Sequence, residues 1–286
     1  MTRARSSVAL LLLFPAAAVF SVLYLSPLVM TLRESLKVHE SGSIGGTPGT
    51  WTFSNYSELL HPAYGHVLFD TFFFGVVATL ISLIVSYPLA YYINGVRRVW
   101  IRKFILTLLV AMLFSGGVVR VYAIALAVGP AGFLAPLFSA AGISPNAILF
   151  LEISLIIGLL NFTIPIVTIT LLSAIKNIDM HLEDAAQTLG APRWVAFFDT
   201  TFRLSIEGLI SASILSFAIC VSAFVVPMIL GRGIIVFATN LIFSRFAEVT
   251  NHPSGAAIAI VLLLVSVVVI YGFLRLFAKR EQRAAA

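Results

Sequence analysis

Cysteine occurs once in this chain, at Cys220 inside an apolar run, so an intrachain disulfide is impossible and the thiol reads as a small buried hydrophobe. Charge is scarce as well. Asp, Glu, Lys and Arg together make up 10% of the residues, where soluble domains carry about 25%. No acidic residue sits in the middle of any long apolar run, which argues against a charged cation site at mid-membrane in this chain. A Gly-x-x-x-x-Gly-Lys-[Ser/Thr] loop is missing, so the chain is not expected to hydrolyse ATP itself. The histidines His39, His61, His66, His181 and His252 are scattered, and none has HExxH spacing. That excludes a recognisable metal or catalytic constellation, and no cofactor is expected in this chain.

Hydrophobic residues, at 60%, fill the space that charge leaves. They fall into runs long enough to cross a hydrocarbon core of about 30 Å, which takes about 20 residues of helix. The first run, Ser6 to Thr31, follows Arg3 and Arg5; Ala16-Ala17-Ala18 offers a signal-peptide cleavage site, but the run continues well past it and reads as a retained span. Further spans are predicted at 67–93, 104–127, 147–175 and 206–230, and a last one ends near Phe277. Arg33 to His66 reads as a polar loop broken by Gly42, Gly45, Gly46, Pro48 and Gly49. The expectation is an all-α polytopic membrane protein with six transmembrane helices. Its parts are an N-terminal span and extracytoplasmic loop (1–66), a transmembrane core (67–277) and a basic tail (278–286).

An even number of spans puts both termini on one side. On that side lie Arg3, Arg5, Arg97, Arg98, Arg102, Lys103, Lys176, Arg193, Arg203, Arg275, Lys279, Arg280 and Arg283, 13 of the 18 basic residues. The positive-inside rule makes that side cytoplasmic. The formal charge of +6 is therefore topology information, and nucleic acid is not expected as a partner.

Between the fourth and fifth spans lies a polar, helix-patterned stretch, Ile178 to Trp194. Leu182, Ala185, Ala186 and Leu189 fall at i, i+3, i+4 and i+7 and form one stripe. Asp179 can cap the start, Glu183 and Asp184 place negative charge in the first turn, Gly190 can end the helix and Pro192 stops it. About eleven residues span roughly 16 Å, too short to cross. Two readings remain: a helix docking into a groove on a partner, or a connector lying on lipid.

The run Asp184-Ala185-Ala186, then Gly190 after three residues, resembles the "EAA…G" loop of the membrane subunits of ATP-binding-cassette importers. Gln187-Thr188-Leu189-Gly190-Ala191 and Arg193-Trp194 extend the likeness to the spermidine/putrescine (polyamine) permease family. So do Phe53 with Asn55-Tyr56 and Leu59-Leu60, Tyr87-Pro88-Leu89-Ala90, Arg120-Val121-Tyr122, Asn240-Leu241-Ile242 and Pro253-Ser254-Gly255-Ala256-Ala257. The resemblance covers about 51–257. It implies a type I importer permease (MetI-like) fold in the bacterial inner membrane, with 178–191 as the coupling helix. It further implies a second permease subunit, two ATPase subunits that carry ATP and Mg, and an extracytoplasmic solute-binding protein. The coupling residues it implies are Leu182, Glu183, Asp184, Ala185, Ala186, Leu189, Gly190 and Ala191.

There are departures from the family. Asp184 stands where glutamate is usual, and Phe202-Arg203-Leu204-Ser205-Ile206-Glu207-Gly208 lacks both prolines of the usual "LP…P.G". Without those prolines a more continuous helix is expected, with an i, i+4 pair of Arg203 and Glu207. Asp70, Arg120, Tyr122, Glu152 and Asn161 are candidates for the translocation path; the charged ones can equally snorkel to the interface. Thr163, Ser213, Ser216 and Ser222 read as either path or helix packing. The rival functions are a secondary transporter that needs no ATPase and a membrane-embedded enzyme. Spans lacking mid-membrane coupling charges disfavour the first, and missing nucleophile, acid and base clusters disfavour the second.

Overall fold

The structure, a computed structural model, describes residues 15, 17–39, 46–129, 132–133, 135–140, 142, 144, 147–179 and 181–284. Residues 1–14, including most of the start of the first predicted span, lie outside the described residues. In chain order the helices are α1 (Ala17–Ser35), α2 (Ser54–Glu58), α3 (Pro62–Gly95), α4 (Val99–Phe114), α5 (Gly117–Val128), α6 (Ala135–Ala140), α7 (Ile148–Lys176), α8 (His181–Thr188), α9 (Arg193–Phe202), α10 (Ile206–Val221), α11 (Val225–Leu230), α12 (Ala238–Phe243) and α13 (His252–Ala284). Helices dominate because a backbone in hydrocarbon must satisfy its own hydrogen bonds.

Four of them, α1, α3, α7 and α13, are long and apolar enough to cross a membrane, and counting each bent pair α4/α5 and α9/α10 as one span gives six. The predicted spans depart from the structure in three places. The predicted third span is no single rod, because α4 and α5 meet at 103° across Ser115 and Gly116, both in extended backbone. Nor does the loss of two prolines straighten the entry to the fifth span: α9 and α10 are bent by 68°. Ser205 takes over the break. It is buried, leaves helical geometry (φ −87°, ψ 2°) and donates its hydroxyl to the Phe202 carbonyl at 2.9 Å. The predicted fifth span is also interrupted between Val221 and Val225, where Thr239 Oγ1 and Asn240 Nδ2 donate to the carbonyls of Ala223 and Phe224 at 2.7 and 3.0 Å.

By backbone contacts the chain divides into two compact units, residues 1–65 with 241–264, and residues 66–240 with 265–286. The first unit holds the one departure from helix among the described residues that forms a sheet, a two-stranded antiparallel pair of β1 (Lys37–His39) and β2 (Gly46–Trp51) within the predicted polar loop. Asn55 Nδ2 donates to the Ser35 and Lys37 carbonyls at 2.8 and 2.9 Å, satisfying acceptors at the end of α1. Ser35 gives its hydrogen to Leu32, so the Tyr56 hydroxyl is the donor in their 2.7 Å contact. In the same unit Tyr64 donates to Glu58 at 2.6 Å, and Arg245 reaches both side chains.

In the second unit α7 forms the core, with Leu155, Leu159, Val167, Leu171 and Ile175 buried along it. Small residues let its neighbours approach. A Cβ on Gly158 would stand 2.6 Å from Leu230, and one on Gly208 would run into the Cβ of Ala174. Ser82 and Ser216 share a 3.0 Å hydrogen bond where α3 meets α10, while Thr163, Ser213 and Ser222 bond to carbonyls of their own helices. Of these small polar side chains, Ser82 and Ser216 join two helices, and the other three are satisfied within their own.

Candidate functional site

Local chemistry fixes the ends of α8. Asp179 Oδ1 accepts the His181 N–H at 3.0 Å, and the Asp179 carbonyl accepts from Leu182. At the far end Gly190 adopts φ +92°, the Ala191 N–H returns to Ala186 O at 3.1 Å and the Gly190 N–H to Gln187 O at 3.0 Å. This pair is the Schellman termination, which needs the left-handed conformation that glycine takes without a Cβ penalty. Gly190→Val is expected to cost about 1–2 kcal/mol at this position. The measurable outcome is faster hydrogen exchange at the amides of positions 190 and 191.

The exposure of α8 is inverted. Leu182 is 44% exposed and Leu189 is 90% exposed, and Ala185 is exposed with them, while Glu183 is only 7% exposed. The predicted apolar stripe is thus the outer face, and the inner face is led by a carboxylate. Among the described residues Glu183 is the one buried charged side chain. Its Oε2 accepts from the Tyr91 hydroxyl at 2.8 Å and its Oε1 from the Thr201 hydroxyl. Burying a carboxylate is costly unless donors replace its water, and two hydroxyls do so here in the first turn of a helix, where the dipole also favours negative charge.

The donors come from elements set around α8. Tyr91 lies near the end of α3 and Thr201 lies in the π-helical stretch Phe197–Phe202 of α9. One turn before Tyr91, Tyr87 reaches Ser205 at 2.8 Å; since Ser205 donates to Phe202, Tyr87 is the donor. Phe197 packs edge-on against both tyrosines, with ring centroids 5.9 Å from Tyr87 and 4.9 Å from Tyr91. Beside α8 a cavity of about 530 Å³ is lined by Asn177, Ile178, Asp179, Leu182, Leu204 and Glu207 among others. Trp194, 68% exposed, and Phe198 extend the apolar outer surface.

Of the other candidate residues, Asp184 and Ala186 keep their places on α8, with Asp184 exposed near His181 at 3.9 Å and Ala186 half-buried. Two of the path candidates come together. Arg120 Nη1 donates to the Asn161 carbonyl at 3.4 Å, and its guanidinium lies 4.1 Å from the centroid of the Phe162 ring. Phe162 and Gly117 line an apolar cavity of about 140 Å³ with Ala223 and Phe224, so the α4/α5 break and the interruption between Val221 and Val225 border it. Tyr122 is exposed, and Asp70 and Glu152 are half-buried on α3 and α7. Sequence reasoning missed Tyr91, Thr201, Tyr87 and Ser205 as site residues. Two signals pointed to them: Tyr87 lies in a family-like motif, and 87 and 91, like 201 and 205, are one helical turn apart.

A many-span helical membrane protein that holds a short capped helix apolar face outward presents a surface that its own chain does not cover. The chain belongs to the family described as the binding-protein-dependent transport system inner membrane component, which it matches over residues 6–283. It is 29% identical over 253 residues to the spermidine/putrescine transport system permease protein PotB of Haemophilus influenzae, covering 88% of this chain and 87% of that one. The protein of the same name from Escherichia coli K12 is 28% identical over 217 residues, 75% of this chain and 78% of its own. Among solved structures, a bacterial ABC transporter involved in the import of the acidic polysaccharide alginate superposes with a TM-score of 0.74 at 15% identity, covering 96% of each chain. This likeness shows the shared fold. The chain is thus a multi-pass permease subunit of a binding-protein-dependent importer, and the fold expected from its motifs is the fold observed.

Proposed function

We propose that this chain is one of two permease subunits of an ATP-driven importer for a small polycation of the polyamine kind, and that α8 is the helix through which two ATPase subunits drive it. The inverted exposure of α8 carries this reading. A lone helix on lipid gains most from bulky apolar groups, whereas a stripe of Leu182, Ala185 and Leu189 between exposed His181, Asp184 and Thr188 suits close approach by a protein. The relatives named for spermidine and putrescine support the solute class. With Arg120 as the charged group beside the inner cavity, recognition of a cationic cargo falls to the extracytoplasmic receptor and the second permease.

The basic residues flanking the spans support a cytoplasmic position for α8 and both termini, on the side where the ATPases hold ATP and Mg. Closure of the ATPases would pull α8 and switch the path between inward-facing and outward-facing states. Purification of the chain with its neighbours in mild detergent tests this. A nucleotide-binding subunit retained with Mg-dependent ATP hydrolysis is the expected result; solute uptake by the chain alone, driven by an ion gradient, would make it a secondary transporter. The melting temperature of the cognate receptor should rise with spermidine or putrescine, and a rise only with a phosphonate or an iron complex would overturn the solute class.

A further inference from the structure

The hydrogen bonds around Glu183 tie α8 to two elements at once. Oε1 is held by Thr201 just before the α9/α10 bend, and Oε2 is held by Tyr91 on α3. One turn along α3, Tyr87 donates to Ser205, the residue at which the bend occurs. Tyr87 and Tyr91 share one face of α3, and Phe197 fills the space between them and α9. A stroke applied to the outer face of α8 therefore reaches α3 directly through Tyr91, and the bend is itself pinned to α3 through Tyr87, besides the covalent path through 189–205. The covalent path alone is soft: between α8 and α9 lie Gly190 at positive φ and Pro192, and between α9 and α10 lies a 68° bend.

We propose that Glu183 is a positioning residue that makes α8, the bend at Ser205 and the end of α3 move together, so that ATPase motion is transmitted chiefly to α3. This rests on the reading of α8 as the coupling helix. Three observations favour a transmitting role. Glu183 is the one buried charge among the described residues, its neighbours Asp184 and Ala185 on the same turn are exposed, and both of its partners are hydroxyl donors from other elements. A carboxylate serving packing alone is replaceable by an apolar side chain of like size, often at no cost.

The test uses the whole importer, both permeases, the ATPases and the receptor, in proteoliposomes, and reads uptake and ATP hydrolysis together. In Glu183→Ala, uptake per ATP hydrolysed is expected to fall at least tenfold, the low end of what a single hydrogen bond to a charged group is worth. ATPase subunits should remain bound, because the outer face of α8 is untouched. Glu183→Gln, which keeps an acceptor oxygen for one donor, should recover most of the ratio, and Tyr91→Phe should lower it by itself yet add nothing on top of Glu183→Ala. Should Glu183→Ala fail to assemble, Tyr91→Phe alone decides, since it retains the carboxylate and the ring. An unchanged ratio in assembled Glu183→Ala, or in Tyr91→Phe when the former does not assemble, overturns the proposal. Failure of the underlying reading shows differently, as a wild-type chain that retains no ATPase subunit.

Discussion

Leu189→Asp is expected to abolish ATPase docking while leaving the permease fold intact. Leu189 is 90% exposed and lies outside the buried core, so its loss removes almost no packing within the chain. A surface substitution of this kind shifts stability by about half a kcal/mol, with a further few tenths from a negative charge beside a helix C-terminus. In the proposed complex the same side chain fills a partner groove. Burying a leucine is worth about 1.5–3 kcal/mol, and a carboxylate in its place adds the cost of an unpaired buried charge. Association should weaken about 100-fold or more. Thermal melting of the purified chain, compared with retention of the ATPase subunit on an affinity column, separates the two effects. Loss of both together would place Leu189 in the core, and retention of both would remove α8 from the interface.

The second large effect falls on the fold. Gly208→Val puts a branched side chain where even a Cβ would overlap that of Ala174, at a close approach of α10 to α7. Overpacking typically costs 1–3 kcal/mol, and here the obstacle is a neighbouring helix instead of the flexible end of a side chain, so a cost at or above about 3 kcal/mol is expected. Gly208→Ala should cost less but still destabilise. Gly272→Ala is the control: a Cβ at Gly272 meets nothing within 4 Å, and alanine favours helix over glycine by about 1 kcal/mol. Fluorescence-detected gel filtration should show the Gly208→Val chain aggregated or absent and the Gly272→Ala chain monodisperse. A well-behaved Gly208→Val protein would mean that α7 and α10 sit further apart than described.

What the sequence discloses and what it hides divide along the range of the interactions. The short helix is legible because its limits are set by neighbours in the chain: Asp179 bonds two residues on, and Gly190 and Ala191 close onto Gln187 and Ala186. The long apolar runs are legible for the same reason, since length against membrane thickness is a local property. Which way α8 faces is not. An apolar stripe looks alike whether it covers the chain's own core or awaits a partner, and what turns it outward is Tyr91, 92 residues from Glu183. The bend at Ser205 is hidden for a related reason. Removing two prolines frees the helix locally, but a serine fixed by a tyrosine 118 residues away breaks it instead. Ser115-Gly116-Gly117 gives a local hint of a break, but the 103° angle it takes is not written in those three residues.

The placement of α8 against a cytoplasmic ATPase is most directly tested by a single cysteine at its exposed end. Leu189→Cys introduces a fully accessible thiol, and the native Cys220 is completely buried and should stay silent towards a polar reagent. In intact cells a membrane-impermeant maleimide should fail to label the variant, and in inverted membrane vesicles a short bifunctional thiol reagent should join it to a cysteine placed in the cleft of the ATPase subunit, giving one new band of summed mass. Labelling of the Leu189→Cys chain from outside intact cells, or the absence of any cross-linked product in vesicles where the assembled importer is active, would contradict the account.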